Sequence, residues 1–442
     1  MATTQLRIER MAYGPEGIAH DEAGKTVFVA GGVVPGDVAE AELASEQKSF
    51  AKANLTKVLE PSPNRVRPAC SPAELLCGCP WAALSRDLQL AEKRDNVVSS
   101  LVRIGKFDAM RAEELVAPCE RPSDDWGYRN KLELGFSRQG RRVSLGLHAE
   151  GSKNLVRIDD SALFDYRGKK FVKSLTGALS YLSSSNDLSF ERIGVRSSRR
   201  TKDLEIALWT DTGGFPRAQV AKVLGDAVKA TSIVRVLSKG PSKARRVIGV
   251  ERLAGKGHWE ERIGEETMLL SAPSFFQVNT RGAERLMELV MEGLNPSEDD
   301  EAMDLYCGAG TFTLPLARRA GFVSAVESYG PAVRDLRRNL QQAGLEGYVD
   351  AIGGDAGREF PDTDADIIVV DPPRAGLAED VVRQLSAQPA RAIAYVSCDP
   401  ATLARDLARF EHEGSFQVQR VTPVDLFPQT FHVETVCLLT HS

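Results

Sequence analysis

No stretch of this 442-residue sequence approaches the roughly 18 continuous apolar residues that a membrane helix needs. Its start, MATTQLRIERMAYG, lacks both the apolar run and the small-residue cleavage site of an export signal, so a cytoplasmic location is expected. Cysteine is scarce. The seven residues at 70, 77, 79, 119, 307, 398 and 437 form an odd, uneven set that excludes the framework of a disulfide-stapled secreted protein and points to reduced thiols. An excess of positive charge is also missing, since 56 Lys and Arg stand against 61 Asp and Glu, a net charge of −5. That balance excludes a uniformly basic nucleic-acid coat but permits local patches. Two occur, ERIGVRSSRRTK (191–202) and KGPSKARR (239–246), and each also reads as an ordinary solvated loop or strand edge. Internal repeats and low-complexity tails are absent.

With 42% hydrophobic and 26% charged residues, the composition is that of a globular protein, and the length calls for two or three domains. Residues 5 to 60 read as short strands broken by glycines at 14, 17, 24, 31, 32 and 36, the texture of a small antiparallel barrel. The proline-rich PSPNRVRPACSP (61–72) marks a boundary. LSRDLQLAEKRDNVVSSLVRI (84–104) has apolar positions at helical spacing. From Tyr128 to about Val250, strand-like and helical pieces alternate in an α+β pattern of mainly antiparallel strands. Beyond Ser274 the chain alternates helices with short apolar strands, which implies a parallel, doubly wound sheet. The expected organisation is therefore a 1–60 barrel, a cysteine-containing linker at 61–83, a helical segment at 84–117 packing on the last domain, a central domain at 118–262, and an α/β domain at 263–442.

In DLYCGAGTFTLPLARR (304–319) a glycine-rich turn follows a strand and precedes a helix, so Gly308 and Gly310 let the backbone approach a ligand at the carboxyl end of the sheet. The third glycine of a dinucleotide fingerprint is missing. Glu327 ends the next strand, where a carboxylate can accept hydrogen bonds from ribose hydroxyls. An Asp-x-x-x-Gly-x-Gly turn followed by such an acid is the pattern of S-adenosylmethionine sites, with a solvated strand-end acid as the alternative. Asp355 and Asp371 follow later strands, and the prolines of Asp371-Pro-Pro hold the backbone rigid. VSCDPATLARDL (396–407) places Cys398 between an apolar strand and a helix, with Asp399 as N-cap and Pro400 as first helical residue. A thiol beside unpaired helix N–H groups is expected to have a lowered pKa; a small apolar filler is the bland alternative.

SFFQVN (274–279), DLYCGAGTFTLPLA (304–317), VVDPPRAGL (369–377), VSCDPATLARDL (396–407) and VDLFPQTFHVETV (424–436) together closely resemble the RNA uracil-5 methyltransferases, S-adenosylmethionine-dependent enzymes that make 5-methyluridine in transfer and ribosomal RNA. Residues 5 to 60 look like the TRAM barrel of many members, and WGYRNKLELGF (126–136) is similar to the opening of their central RNA-binding domain. The resemblance implies a Rossmann-like catalytic domain behind that barrel. Cys398 matches the nucleophile and Glu434 the general base. Gln277, Tyr306, Gly308, Gly310, Thr311, Glu327, Asp355 and Asp371 match the surroundings of S-adenosylmethionine. Many members also carry a [4Fe-4S] cluster, but here Cys70, Cys77 and Cys79 remain while the usual Cys-Gly-Gly-Cys is shortened to Cys77-Gly78-Cys79, and Ser161 in VRIDDSALF occupies the expected fourth position.

The chemistry implied by the resemblance is covalent catalysis. Sulfur adds to uracil C6, C5 becomes nucleophilic enough to take a methyl group, and a base then removes the C5 hydrogen. An apolar strand around Glu434 is expected to raise its pKa. Reaching a stacked base requires flipping it, with Phe275, Tyr306 or Phe427 as stacking partners and basic patches on the phosphates. The expected partner is ribosomal RNA by association with TRAM-bearing chains of this length, or transfer RNA, and the expected state is a monomer without an obligate protein partner or membrane. Enzymes acting on exocyclic amines or making 5-methylcytosine, and a non-catalytic RNA chaperone, remain the alternatives.

Overall fold

The computed structural model describes residues 3–442 except 141, 150, 151, 153, 167–169, 187 and 241–245. Its strands fall into three large sheets and one hairpin. The first sheet has six strands, ordered Thr3–Arg7, Val38–Glu46, Phe50–Glu60, Thr26–Ala30, Gly17–His20 and Arg10–Met11. It departs from the expected all-antiparallel pattern at one place, where Thr26–Ala30 runs parallel to Phe50–Glu60. The second sheet has seven strands between Lys131 and Gly255, all antiparallel except for Leu204–Thr210 beside Ser232–Lys239. Parallel neighbours need a crossover, and the helix Arg217–Val228 supplies it.

The third sheet orders its strands Val349–Gly353, Phe322–Glu327, Glu301–Leu305, Ile367–Val370, Ala392–Ser397, Glu434–His441 and Phe416–Val424. The first five are parallel. Glu434–His441 alone is reversed, antiparallel to both Ala392–Ser397 and Phe416–Val424, which corrects the expectation of a wholly parallel sheet. Alternation along each strand divides two cores. Ile367, Val369, Ala394 and Val396 pack with Leu286, Val290 and Leu336 on one face. Ile368, Val370, Ile393 and Tyr395 pack with Leu403, Leu407 and Phe410 on the other. Both faces being covered, the strands read as continuous apolar runs. Val97, Leu101, Phe107 and Ala112, from the helices Arg86–Arg103 and Ala109–Leu115 and the turn between them, share that second core. No helix among the described residues is long and apolar enough to cross a membrane.

Candidate active site

The carboxyl ends of the five parallel strands make one rim, and the antiparallel pair brings a sixth residue to it. Because Glu434–His441 runs opposite to Ala392–Ser397, with Ser397 facing Thr435, its first residue lies where its neighbour ends. Cys398 and Glu434 are thereby set side by side. Asp399 caps the helix Pro400–Glu413 as its sequence requires, its carboxylate accepting from the Ala401 and Thr402 N–H groups at 3.0 Å each. A cap of this kind contributes about 1 kcal/mol.

The electrostatics differ from the sequence expectation at Cys398. Burial pushes its thiol up to about 11, the Glu434 and Asp371 carboxylates add to the rise, and the Arg374 guanidinium opposes it. The helix N-terminus is outweighed because Asp399 and two further carboxyl groups face the same small volume. Glu434 is 3% exposed; burial, then Asp371, hold it well above the usual carboxylate range, again against Arg374. Its Oε2 has no hydrogen-bond partner. The Cys398 thiol therefore rests protonated at neutral pH, and the charged form of Glu434 is disfavoured. Burial likewise raises Asp371 to about 7.

Below the next strand ends lies a cradle. Tyr306, Gly308 and Gly310 all have positive φ, at 65°, 58° and 102°. At Gly310 a Cβ would meet Leu314 Cδ1 at 2.5 Å, whereas at Gly308 the space is open. Glu327 fixes the turn by accepting from Gly308 N at 3.0 Å and Tyr329 N at 2.5 Å. Asp304 beneath it accepts from Thr313 Oγ1 at 2.6 Å, while its other oxygen is buried without a partner. Burial raises this acid to about 7. Thr311 sits half-buried in the same turn, and Asp355, which accepts from Gly357 N at 3.1 Å, faces the Tyr306 phenol. Gln277 is buried in the segment leading to the helix Thr280–Leu294, its carbonyl accepting from Asn130 Nδ2 at 2.9 Å. An open glycine turn, a strand-end carboxylate and an orphaned acid oxygen fit the ribose and amine of an S-adenosyl group.

The family model described as tRNA (uracil-5-)-methyltransferase matches residues 356–442, and that of the methyltransferase small domain matches residues 280–394. A protein of Thermosynechococcus vestitus described as an uncharacterized RNA methyltransferase is 32% identical, the alignment covering 100% of this chain and 98% of the relative. One from Gloeobacter violaceus is 33% identical, with 100% and 97% covered. The chain belongs to the RNA uracil-5 methyltransferase family. In three dimensions the methyltransferase is similar to the Pyrococcus abyssi tRNA (uracil-54, C5)-methyltransferase in complex with S-adenosyl-L-homocysteine, with a TM-score of 0.76 and 25% identity over 99% of this chain and 100% of that one. It is an S-adenosylmethionine-dependent RNA methyltransferase.

Three residues of the methyltransferase site escaped the sequence reading. Arg374, exposed on the turn after Asp371-Pro-Pro, bears on both Cys398 and Glu434 and lies 3.3 Å from His432 Nδ1. Burial and Arg374 lower the His432 imidazole to about 4. The third, Tyr13, donates to the Cys398 carbonyl at 3.2 Å from 385 residues away. Position beside known motifs could have flagged Arg374 and His432; nothing local flags Tyr13.

The segment leading into Glu434 is held from outside the sheet. Lys93 and Arg86 both pair with Asp425, a group fully buried together with Lys93. Lys93 also donates to Phe427 O at 3.0 Å, Gln89 accepts from Gln429 N at 2.9 Å, and Tyr128 donates to Pro428 O at 3.0 Å.

The cluster residues do not fit iron–sulfur ligation. Burial raises the thiols of Cys70, Cys77 and Cys79, and Cys77 and Cys79 are separated by a single residue, a poor template for a cluster. Cys79 is fully buried in an apolar group with Ala82, Tyr128 and Leu163. At the expected fourth position stands the hydroxyl of Ser161, and the next residue's N–H donates to Glu74 Oε1 at 2.7 Å. Glu74 also completes a capping box with Ser71. A carboxylate brace thus joins the two segments from which ligands would come. Among the described residues no three His, Cys, Asp or Glu side chains are grouped to hold a metal ion.

The first basic patch spends much of its charge inside the protein. Arg196 is 3% exposed and donates to the Ser271 and Ser274 carbonyls, Arg199 pairs with Asp165, and Arg200 pairs with Glu284. Arg192 lies over the Trp209 ring at 4.5 Å. In the second patch, residues 241–245 lie outside the described residues. Of the aromatic stacking candidates, Phe275 is 64% exposed, whereas Tyr306 and Phe427 pack partly against the cores.

Proposed function

We propose that the protein methylates C5 of a specific uridine in RNA through a transient Cys398–C6 bond, with Glu434 as the base that removes the C5 proton. The observation that carries this reading is the pairing of a thiol and a buried carboxyl on adjacent strand ends, both within reach of the Arg374 charge. S-adenosylmethionine, when bound, supplies an electrophilic methyl group; the Gly308–Gly310 turn, Glu327, Asp304, Tyr306 and Asp371, with Gln277, Thr311 and Asp355, are the residues assigned to hold it.

Uracil C5 is a poor nucleophile because its electrons are drawn toward the two carbonyls. Addition of the Cys398 sulfur to C6 breaks the ring double bond and moves an electron pair to C5 and O4. Arg374 is the cation beside the thiolate before addition. After C5 has taken the methyl group it still bears a hydrogen, and an ionised Glu434 accepts that proton while the electron pair re-forms the double bond and expels sulfur. Neither group is ready at rest: the Cys398 thiol must first give up its proton to solvent, and burial disfavours the ionised form of Glu434. The thiolate opposes ionisation of Glu434, and this opposition ends once the sulfur is bonded to C6.

A fully stacked base is out of reach of a rim residue, so the uridine must be flipped, and exposed Phe275 suits a stacking role. In this reading the N-terminal sheet is the TRAM barrel, the central sheet is the RNA-binding domain, and RNA is the partner. Ribosomal RNA was the expectation from chain type; full-length similarity to a transfer-RNA enzyme gives transfer RNA equal support. The test is mass mapping of 5-methyluridine in both RNA classes from cells with and without the gene. One 5-methyluridine is expected to disappear with the gene, and unchanged 5-methyluridine in every RNA removes the proposal.

A further inference from the structure

The N-terminal sheet reaches the rim itself. Strands Arg10–Met11 and Gly17–His20 form a hairpin, and its tip, AYGPE, is closed by Ala12 N donating to Glu16 O at 2.9 Å. Three ties hold this hairpin against the rest of the chain. Met11 N donates to Glu92 Oε2 at 2.7 Å, and the fully buried Trp81 donates through Nε1 to Gly14 O at 2.9 Å. Tyr13 makes the third, to the Cys398 carbonyl. Met11 and Val34 of the N-terminal unit share one apolar cluster with Trp81, Leu84 and Phe431. Phe431 stands three residues before Glu434. The Tyr13 ring meets it edge-on, centroids 5.6 Å apart, and packs against the core of the catalytic sheet.

This contact has a directional consequence. Cys398 is the single residue between the strand end at Ser397 and the N-cap Asp399, so it lacks the ladder bonds of the strand and the i to i−4 bonds of the helix. Its peptide plane sets where the sulfur points. A donor on its carbonyl fixes that plane, and a ring wedged against Phe431 fixes the donor. Burial and the neighbouring Asp399 and Glu434 carboxylates hold the phenol protonated, so it remains a donor throughout the working pH range.

We propose that Tyr13 is a positioning residue for Cys398, and that the hairpin carrying it is a component of the active site as well as part of an RNA-facing unit. The proposal rests on Cys398 being the nucleophile. A residue acting through the peptide of another should change turnover and sulfur reactivity while leaving the affinities for RNA and cofactor alone.

The test uses the full-length protein, tritiated S-adenosylmethionine and total RNA from cells lacking the gene. Tyr13→Phe keeps the ring and deletes the hydroxyl. Its kcat is expected to fall roughly five- to tenfold, the worth of one hydrogen bond, with KM for RNA and S-adenosylhomocysteine affinity unchanged. Alkylation of Cys398 by iodoacetamide, followed by peptide mass spectrometry between pH 7 and 10, should shift in rate while the other cysteines do not. Tyr13→Leu, which also removes the ring, should lose at least as much; if it unfolds, the Phe variant still decides. A Tyr13→Phe enzyme within about twofold of wild type in both kcat and alkylation overturns the proposal, as does a loss confined to KM for RNA. Cys398→Ala is run in parallel. If it still methylates, the nucleophile reading itself is wrong; if it is dead while Tyr13→Phe is normal, only the positioning role is lost.

Discussion

The rim of the catalytic sheet and the apparatus that holds it are built on opposite principles. On the rim, the chemical groups sit in short motifs at strand ends: Gly308 and Gly310 after Leu305, Glu327 at the end of its strand, Asp371 after Val370, Cys398 after Ser397, and Glu434 at the start of the reversed strand. The holding apparatus is made of residues hundreds of positions away, among them Lys93 and Arg86 on Asp425, Gln89 on Gln429, and Tyr13 on Cys398. Chemistry is local in sequence and orientation is not.

The comparison is broken most sharply at the rim. Cys398→Ala is expected to lower methyl transfer by at least roughly a thousandfold, the scale seen when a covalent nucleophile is removed, with S-adenosylhomocysteine binding retained in calorimetry. Glu434→Gln should instead stall after methylation, leaving a protein–RNA conjugate visible on denaturing gels. Equal loss without a conjugate would remove Glu434 from the role of base.

On the bracing side the expected damage is to stability. Lys93→Ala leaves Asp425 fully buried with Arg86 as its remaining cation, and breaking one partner of such a group costs about 3–5 kcal/mol. The check is the midpoint of urea unfolding; a shift too small to resolve would mean that Arg86 alone satisfies Asp425.

The smallest effect sharpens the electrostatics. Since the Cys398 thiol lies near 11, its thiolate fraction at neutral pH is small and grows with pH. Its alkylation rate should therefore climb about tenfold per pH unit from 7 to 10 without a plateau. Arg374→Ala removes the cation that lowers this value, so the variant should react more slowly at each pH, by a few-fold. A plateau near pH 8 would show that the helix N-terminus outweighs the carboxylates.

The sequence announced the architecture where periodicity and punctuation are local. Apolar strands, the Asp399–Pro400 cap and the glycine turn all form where their residues require. What it did not announce were matters of direction and distance. The reversal of Glu434–His441 leaves no mark in an apolar strand buried on both sides, because parallel and antiparallel runs look alike there. The rise of the Cys398 pKa comes from burial and from Glu434 and Asp371, which meet it only in the folded sheet. Arginines at 196, 199 and 200 read as a basic surface because their partners, at 271, 274, 165 and 284, are scattered along the chain.

The reversed strand has a consequence for assembly. In the unfolded chain at neutral pH, Glu434 is an ordinary ionised acid in water; docking the last two strands buries it where the charged form is disfavoured. Closing the sheet therefore takes up a proton from the solvent, so this contribution to stability is complete in acid and fades as pH climbs from the ordinary carboxylate range through the raised value. Refolding in weak buffer should turn an indicator dye alkaline, a signal that Glu434→Gln diminishes.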